Sequence, residues 1–295
     1  MILRSASAVL LFFVSCSINS QAASLGQLRV PRLHSAAVMV RDQLTGEVLM
    51  AKKAEIAMPI ASITKLMTAM VVLDAHLDME QTIKIEESDK DTLRFSSSHL
   101  PVGTCLLRSQ ALLLALMASE NRAAHALGRT YPGGVSAFVE AMNEKARALS
   151  LTETKFEDPT GLMAGNVASA HDLSRLVDIA SSYPEIRSCT TTAQYILRCG
   201  SRQLFFHNTN PLVRNSRWQI GLSKTGYIRE SGKNLVMQTQ LAQRPVLIVL
   251  LNSSGSDTRI GDANRIREWL EGPTEPPHKA KKHRARVAST RIHRT

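Results

Sequence analysis

The sequence contains few of the features that mark a metalloprotein or a membrane-spanning domain. It has four cysteines in 295 residues, and their spacing does not match a zinc or iron–sulfur pattern. After residue 23, no apolar run approaches the roughly 20 consecutive apolar residues that a membrane-spanning helix needs. We therefore predict that the chain binds no metal and no other cofactor, and that its main body does not cross a membrane.

Aromatic residues are also scarce, at 4% of the chain, and acidic residues are missing from its C-terminal end. From His278 onward, seven lysines and arginines occur without an aspartate or glutamate, and they supply most of the formal net charge of +11. A basic run of this kind raises the question of nucleic acid, but it contains no tyrosine or tryptophan to stack on bases. We predict no nucleic-acid partner and a disordered basic tail over residues 272–295. The alternative is that this tail associates electrostatically with an anionic envelope surface.

The first 23 residues have the organisation of a secretory signal peptide. A positive charge near the start precedes an apolar run over residues 6–14, and small residues at Ser20 and Ala22 suit a signal peptidase. We therefore predict that residues 1–23 are removed on export. An alternative keeps the cysteine of Phe13-Val-Ser-Cys16 as a lipidated N-terminus, because this segment loosely resembles a lipoprotein cleavage box.

Removal of the leader leaves three cysteines, Cys105, Cys189 and Cys199. Export to an oxidising compartment would permit a Cys189–Cys199 disulfide that closes a short loop, with Cys105 unpaired. Three buried free thiols fit the sequence equally well, because a sequence does not show whether two Cβ atoms face each other. Both alternatives stay open at this point.

Hydrophobic periodicity predicts strands at both ends of the sequence and helices in the middle. The predicted strands cover residues 35–42, 47–51, 218–225, 234–242 and 245–252, and the predicted helices cover residues 63–75, 110–117, 122–127, 135–149, 170–180 and 262–270. Short turns between the last three strands indicate antiparallel neighbours. We therefore predict an α+β fold in which N- and C-terminal strands share one sheet, within a single domain of residues 30–271.

The segment Ser62-Ile-Thr-Lys65 contains a candidate nucleophile and its base. A serine hydroxyl is a poor nucleophile until a base removes its proton. If Ser62 begins a helix, Lys65 lies one turn later on the same face, and the apolar residues around it would lower the pKa of its amine by desolvation. On its own, the motif would fit a capping serine beside an ordinary surface lysine.

Two further motifs contain residues that could complete such a site. Ser119 and Asn121 lie at a break between two predicted helices, where a hydroxyl could relay a proton and an amide could order both Lys65 and a substrate amide. The segment Lys224-Thr225-Gly226 ends a predicted strand, where a lysine, a hydroxyl and a glycine can hold a carboxylate. Successive strand residues face opposite sides, so a twist or bulge near Gly226 would be needed to redirect Lys224 or Thr225.

In this order, the three motifs match the signature of serine β-lactamases and penicillin-binding proteins. From about His34 to Glu271, the chain resembles the low-molecular-mass penicillin-binding proteins of the D-alanyl-D-alanine peptidase family, and most of all its periplasmic D-alanyl-D-alanine endopeptidases. The segments that carry the resemblance are Ala61-Ser-Ile-Thr-Lys65, Ser96-Ser-Ser-His-Leu-Pro-Val-Gly103, Ala115-Leu-Met-Ala-Ser-Glu-Asn-Arg-Ala-Ala124, Tyr131-Pro-Gly-Gly134, Phe156-Glu-Asp-Pro-Thr-Gly-Leu162, Leu222-Ser-Lys-Thr-Gly-Tyr227 and Arg259-Ile-Gly-Asp262.

The resemblance implies a β-lactamase/transpeptidase-like fold, with an antiparallel sheet of about five strands flanked by helices and a helical subdomain. It also implies a penicillin-sensitive periplasmic serine D,D-peptidase that acts on peptidoglycan stem peptides and is inhibited by β-lactams. By the same resemblance, Ser62 would be acylated, Lys65 would be the base, and Ser119 with Asn121 would form the second catalytic element. The substrate-binding residues would be Lys224, Thr225, Gly226 and Tyr227, with Arg259 as a further carboxylate contact. The backbone N–H groups of Ser62 and Tyr227 would form the oxyanion hole.

An endopeptidase that cleaves D-alanyl crosslinks is our main prediction. Many D,D-carboxypeptidases of this family carry a second, β-rich domain and an anchor helix, whereas only a short basic tail follows the domain here. The alternatives are a carboxypeptidase that trims stem pentapeptides and a serine β-lactamase. Class A β-lactamases use a glutamate base in the middle of the chain, whereas Glu157-Asp158 falls in a family turn. An inactive murein-binding protein is disfavoured because all three motifs are intact. Ser150 departs from the family, which often has glycine there.

Overall fold

A five-stranded antiparallel sheet forms the centre of the computed structural model, which describes residues 30–200, 202–255 and 258–272. In chain order the strands are β1 (Ser35–Asp42), β2 (Val48–Lys52), β3 (Met58–Pro59), β4 (Thr82–Lys84), β5 (Cys105–Leu107), β6 (Val167–Ala168), β7 (Gln194–Cys199), β8 (Arg202–His207), β9 (Gln219–Ile228), β10 (Gly232–Leu241) and β11 (Arg244–Ser253). The sheet order β2-β1-β11-β10-β9 places the N-terminal hairpin beside the last strand. The predicted α+β class and the shared sheet are therefore confirmed.

Helices cover the sheet and form most of the middle of the chain. They are α1 (Lys65–Asp74), α2 (Arg108–Met117), α3 (Asn121–Arg129), α4 (Gly134–Ala148), α5 (Ala170–Ala180), α6 (Pro184–Thr191) and α7 (Thr258–Glu271). Within the part of the chain that the structure describes, no helix is both long and apolar enough to cross a bilayer. The predicted leader, and all of the predicted tail except residue 272, lie outside the described residues.

The composition of β11 explains its position at the centre of the sheet. Residues 246–251 are all apolar and fully buried, so this strand is covered on both faces. Its side chains alternate between two hydrophobic cores, because successive strand residues point to opposite faces. Leu247 and Val249 join the core that contains α1 to α6, whereas Ile248 and Leu250 join the core formed with α7.

Helix α1 lies at the centre of the larger core. Eight of its ten residues are buried, and it contacts α2, α3, α4 and α5. A helix that is apolar on all sides is stable only when other elements surround it completely. Its first residue, Lys65, is therefore carried into the interior by the burial of the residues that follow.

Asp262 on α7 connects that helix to the beginning of β1. Its carboxylate is fully buried and accepts hydrogen bonds from the backbone N–H of Ser35 at 2.7 Å, from the Ser35 hydroxyl at 2.7 Å and from the backbone N–H of His34 at 3.0 Å. Arg265, one turn later, donates to the same carboxylate at 2.8 Å. A buried carboxylate with several donors fixes where the first strand enters the sheet.

Helix α6 and the hairpin formed by β7 and β8 were not predicted from the sequence. In the hairpin, Leu197 and Phe206 are buried, but their neighbours Ile196 and Phe205 are 45% and 56% exposed. Apolar residues therefore occur on both faces, and the alternation that signals a half-buried strand is absent. Helix α6 is short and rich in serine and threonine, so it has little helical periodicity.

The three cysteines of the domain are free thiols in the structure. The Cys189–Cys199 disulfide is not formed, and both residues are partly buried against the larger core. Burial, together with the nearby Glu185 carboxylate, raises the pKa of the Cys189 thiol to about 11. The alternative of three buried thiols is wrong for Cys105, which is exposed.

The end of α4 explains why glycine is favoured at the position of Ser150. The backbone N–H of Ser150 bonds to the carbonyl of Arg147, and that of Leu151 bonds to the carbonyl of Ala146, both at 2.9 Å. These two bonds form a Schellman motif, which requires a left-handed residue between them. Ser150 has φ of 54°, a left-handed conformation that is unfavourable for residues with a Cβ atom.

We expect Ser150→Gly to raise the free energy of unfolding by about 1 kcal/mol, because the left-handed strain is removed. Urea denaturation of the two proteins measures the difference. The matched control is Ser136→Gly, the same change at an exposed position inside α4, which should lower stability by about 0.5 kcal/mol. Equal destabilisation by both substitutions would contradict this explanation.

Candidate active site

Ser62 lies in a 3-10 turn, Ala61–Thr64, that leads directly into α1. Ser62 is thus helical, but in a 3-10 turn, and the α-helix itself begins three residues later, at Lys65. In a 3-10 turn, residues three apart lie above one another, which brings the Lys65 side chain beside the Ser62 hydroxyl. Ala61 has φ of 50°, so the backbone bends sharply just before the serine.

The amine of Lys65 has three hydrogen-bond partners, none of which carries a formal charge. Lys65 Nζ lies 2.8 Å from Ser62 Oγ, 2.8 Å from Asn121 Oδ1 and 2.6 Å from the carbonyl oxygen of Thr160. The lysine is 1% exposed. The structure thus brings Ser62 and Asn121, which are partly exposed, together around the buried amine of Lys65.

Burial lowers the pKa of Lys65 to about 7, although attraction to Asp158 and Glu120 partly opposes this effect. An ordinary lysine is almost entirely protonated at neutral pH. Here a large fraction of the amine is neutral near pH 7, and a neutral amine 2.8 Å from a hydroxyl can accept its proton.

Ser119 occupies the break between α2 and α3. Its φ of 59° turns the chain between the two helices. The next residue, Glu120, stabilises this break, because its carboxylate accepts hydrogen bonds from the Ser98 hydroxyl and the His99 backbone N–H, both at 2.8 Å. Asn121 is oriented from both ends of its amide, because its Nδ2 donates to Ser96 Oγ at 2.9 Å while its Oδ1 accepts from Lys65.

Strand β9 brings the third motif to the same place. Lys224 Nζ donates to Ser119 Oγ and to the carbonyl of Thr225, both at 2.9 Å. No register shift occurs between Lys224 and Gly226, so a bulge does not redirect either side chain. The Thr225 hydroxyl bonds to the Thr209 hydroxyl at 2.7 Å.

Lys224 is a second buried amine in the cluster. Burial, the positive charge of Lys65 and that of Arg259 together hold the pKa of Lys224 well below its usual value. Arg259 itself donates to the backbone carbonyls of Gly226 and Asn234 at 3.3 Å. A carboxylate bound here would favour the charged form of Lys224, because opposite charges stabilise each other at low dielectric.

Two glycines allow the backbone around Ser62 to pack closely. A Cβ atom on Gly226 would lie 2.7 Å from the carbonyl oxygen of Ile60 and 3.1 Å from the Ser62 nitrogen. A Cβ atom on Gly161, which has φ of 82°, would lie 2.9 Å from that same nitrogen. Tyr227, the next residue of β9, has a side chain that is 61% exposed. A larger residue in place of Gly161 or Gly226 would displace the turn that carries the candidate nucleophile.

Three residues that contact the cluster were not predicted, namely Ser96, Thr160 and Thr209. Ser96 and Thr160 lie in segments that carried the family resemblance, which was the available signal for them. Thr160 acts through its backbone carbonyl, so its side-chain type gives no indication of the contact. Thr209 lies in a loop without a recognisable pattern, and only the fold brings it to β9.

The two carboxylates of the turn before Gly161 have hydrogen-bond or ion-pair partners within the protein. Asp158 accepts hydrogen bonds from the backbone N–H groups of Thr160, Gly161 and Met163, at 2.8 to 3.2 Å. Glu157 pairs with Lys155 at 2.9 Å. Among the residues that the structure describes, no cluster of three or more histidine, cysteine, aspartate or glutamate side chains could hold a metal ion.

Comparison with known proteins gives this geometry a family. A family model described as D-alanyl-D-alanine carboxypeptidase matches residues 25–255. The chain is 45% identical to a D-alanyl-D-alanine endopeptidase of Pseudomonas aeruginosa over 81% of its own length and 78% of that protein. It is 40% identical to a D-alanyl-D-alanine endopeptidase of Escherichia coli, over 82% and 78% of the two chains.

The fold also matches a solved structure. The crystal structure of the Streptomyces K15 DD-transpeptidase superimposes with a TM-score of 0.76 at 26% identity, covering 81% of this chain and 97% of that one. The family match spans most of the chain and includes all three motifs of the buried cluster. The chain therefore belongs to the D-alanyl-D-alanine carboxypeptidase family of serine peptidases.

Proposed function

We propose that this protein is a D-alanyl-D-alanine endopeptidase that cleaves peptide crosslinks in peptidoglycan through an acyl-enzyme on Ser62. The observation that carries the proposal is the buried Lys65 amine, 2.8 Å from the Ser62 hydroxyl with only uncharged acceptors around it. This pair can generate a serine alkoxide without a histidine. Relatives at 45% and 40% identity that are named endopeptidases support the choice of substrate.

In the acylation step, Ser62 Oγ attacks the carbonyl carbon of the D-alanine that precedes the scissile bond. Its proton passes to Lys65 Nζ as the new ester bond forms. The backbone N–H groups of Ser62 and Tyr227 would receive the oxyanion, and the close approach of Gly226 to the Ser62 nitrogen supports this assignment.

Departure of the leaving amine requires a proton as the C–N bond breaks. Ser119 is suited to relay it, because its hydroxyl lies in the same cluster, 2.9 Å from Lys224 Nζ, and the proton that it gives to the amine is replaced by the one that Lys65 took from Ser62. Lys224 and Thr225 would hold the carboxylate on the leaving side of the substrate. Water then hydrolyses the ester and restores the Ser62 hydroxyl.

The same geometry supports sensitivity to penicillin rather than rapid penicillin hydrolysis. A β-lactam amide is attacked in the same way, but its leaving group stays attached and shields the ester. A deacylating glutamate would have to face the ester, whereas the Glu157 and Asp158 carboxylates are paired with Lys155 and with backbone N–H groups. A long-lived penicilloyl adduct is therefore expected.

We expect the rate of acylation by a fluorescent penicillin to rise with pH through about pH 7, where the pKa of Lys65 lies, and to level off above it. Below that pKa the amine is protonated and cannot accept the serine proton, so the rate should fall about tenfold per pH unit. Stopped samples resolved on gels give the rate at each pH.

Lys65→Arg is the matched variant, because it keeps a long basic side chain that stays protonated at every accessible pH. It should lose about 10²-fold or more of the acylation rate over the whole range. A pH-independent rate in the wild-type protein, or substantial acylation of the arginine variant, would contradict the role of Lys65.

The choice between endopeptidase and carboxypeptidase rests on which amine leaves. In a crosslink, the amine belongs to the neighbouring stem peptide, and in a pentapeptide it belongs to the terminal D-alanine. We expect the purified protein to convert crosslinked muropeptide dimers to monomers faster than it trims pentapeptide monomers, as measured by chromatography. Ser62→Ala is the inactive control. Dimers that stay whole while monomers lose alanine would assign the chain as a carboxypeptidase.

The proposed site of action is the periplasm, which the predicted leader over residues 1–23 and the cell-wall activity support. The basic tail over residues 272–295 would then keep the enzyme near anionic polymers of the envelope by screened charge attraction. The charge of its seven lysines and arginines after residue 277 is the observation behind this proposal.

Deletion of residues 277–295 should reduce binding to isolated cell-envelope fractions at low salt, and the difference should vanish at high salt. A variant with the tail lysines and arginines changed to glutamine controls for tail length and should bind as weakly as the deletion. Binding at low salt that is unchanged by both variants would reject the tail as an electrostatic anchor.

A further inference from the structure

An ion pair connects two loops that border the active site and lie far apart in the sequence. Arg94 Nη1 lies 2.8 Å from Glu230 Oε2. Arg94 belongs to the loop of residues 91–100, and Glu230 to the turn between β9 and β10. We call residues 91–100 the loop wall and residues 229–231 the turn wall.

The loop wall is held rigidly. The Asp91 carboxylate accepts hydrogen bonds from the backbone N–H groups of Leu93, Arg94 and Ser96 at 2.9 to 3.0 Å. Burial raises the pKa of Asp91, but these bonds and one from the Ser96 side chain outweigh that effect, so the pKa lies below its usual value. The loop is thus organised around an ionised carboxylate, and Ser96 fixes it to Asn121.

Arg94 is also bonded to the segment that follows Gly161. Its Nε donates to the backbone carbonyl of Leu162 at 2.5 Å. Leu162 follows Gly161, which packs closely against Ala61 and Ser62 in the turn that carries the candidate nucleophile. This second bond fixes Arg94 independently of Glu230.

Glu230 is held less firmly than Arg94. The Arg94 side chain is 22% exposed, whereas that of Glu230 is 46% exposed on a turn. Ion pairs with an exposed member contribute little to stability, because water screens them and side-chain entropy opposes them. Another carboxylate could therefore replace Glu230 on the guanidinium at small cost.

The position of the pair along β9 identifies which part of a substrate reaches it. Gly226 lies beside the Ser62 nitrogen, with Lys224 on one side of it in the sequence and Glu230 on the other. A stem peptide whose leaving side lies at Lys224 would extend its acyl-donor side toward Glu230. Along β9, Glu230 and its partner Arg94 therefore lie on the other side of Gly226 from the buried Lys224.

We propose that Arg94 binds a carboxylate of the donor stem peptide, upstream of the scissile bond, and that Glu230 occupies this position until substrate arrives. This inference rests on the proposed peptidase function. A guanidinium suits such a role, because it stays charged and can bind a carboxylate through two parallel hydrogen bonds. Glu230 would act as an internal competitor that an anionic donor peptide has to displace from the guanidinium.

The test measures how soluble stem pentapeptides slow acylation of Ser62 by a fluorescent penicillin, which reports binding even where peptide turnover is slow. Two carboxylates of the donor stem are candidates, the α-carboxylate of γ-linked D-glutamate and the side-chain carboxylate of diaminopimelate. The probes are the peptide with both carboxylates free, the two peptides with one carboxylate amidated, and the peptide with both amidated. The readout is the ratio of inhibition constants, amidated over free, within each protein.

In the wild-type protein, amidation of the recognised carboxylate should weaken inhibition by about threefold or more, and the singly amidated peptide with this loss identifies that carboxylate. Arg94→Gln should bring the ratio close to 1, because the receptor is lost. Glu230→Gln should raise the ratio further, by about threefold or more, because the competitor is lost. Arg187→Gln, the same change at an exposed position of α6, should leave the ratio as in the wild type.

A pair that serves only to hold the two walls together predicts a different result. Arg94→Gln and Glu230→Gln would then change inhibition by free and amidated peptides alike and in the same direction, which would overturn the proposal. If Arg94→Gln failed to fold, the increase expected for Glu230→Gln would still decide the matter. Absence of penicillin labelling in the wild-type protein would instead refute the proposed function itself.

Discussion

The site depends on an amine that is kept out of water with no carboxylate among its hydrogen-bond partners. Lys65 Nζ bonds to a hydroxyl, an amide oxygen and a backbone carbonyl, and burial brings its pKa to about 7. Uncharged acceptors stabilise an ammonium less than a carboxylate would, so the cost of burial is not repaid and the neutral form gains. The apolar surroundings of α1 are therefore as important to the chemistry as the residues that touch the amine.

Three segments from different parts of the chain contribute the residues around Ser62 and Lys65. The break between α2 and α3 contributes Ser119 and Asn121, and the turn before Gly161 contributes the Thr160 carbonyl. The edge strand β9 adds Lys224, whose own pKa is lowered in part by the charge of Lys65. The charge of Lys65 thus disfavours protonation of Lys224, and an anion bound at Lys224 would favour it.

Much of this arrangement could be predicted from the sequence, because strong local patterns coincide with the elements that form it. The apolar run of β11 and the long periodic segments predicted the sheet and most of the helices. The three motifs identified Ser62, Lys65, Asn121 and Lys224 as candidate site residues. The 3-10 geometry at Ser62 and the Thr160 carbonyl were not predictable, because they depend on backbone contacts rather than side-chain types. The β7–β8 hairpin was missed because its apolar residues occur on both faces.

The pairing of the first strand with the last has a consequence for the order of folding. Ser35 and Ser253 are hydrogen-bonded although 218 residues separate them, so the sheet closes only when nearly the whole chain is available. Contacts of such long sequence separation form late and slowly. Until then Lys65 stays hydrated and protonated as an ordinary lysine, and the neighbouring serine remains inert. Reactivity therefore appears only on completion of the tertiary structure.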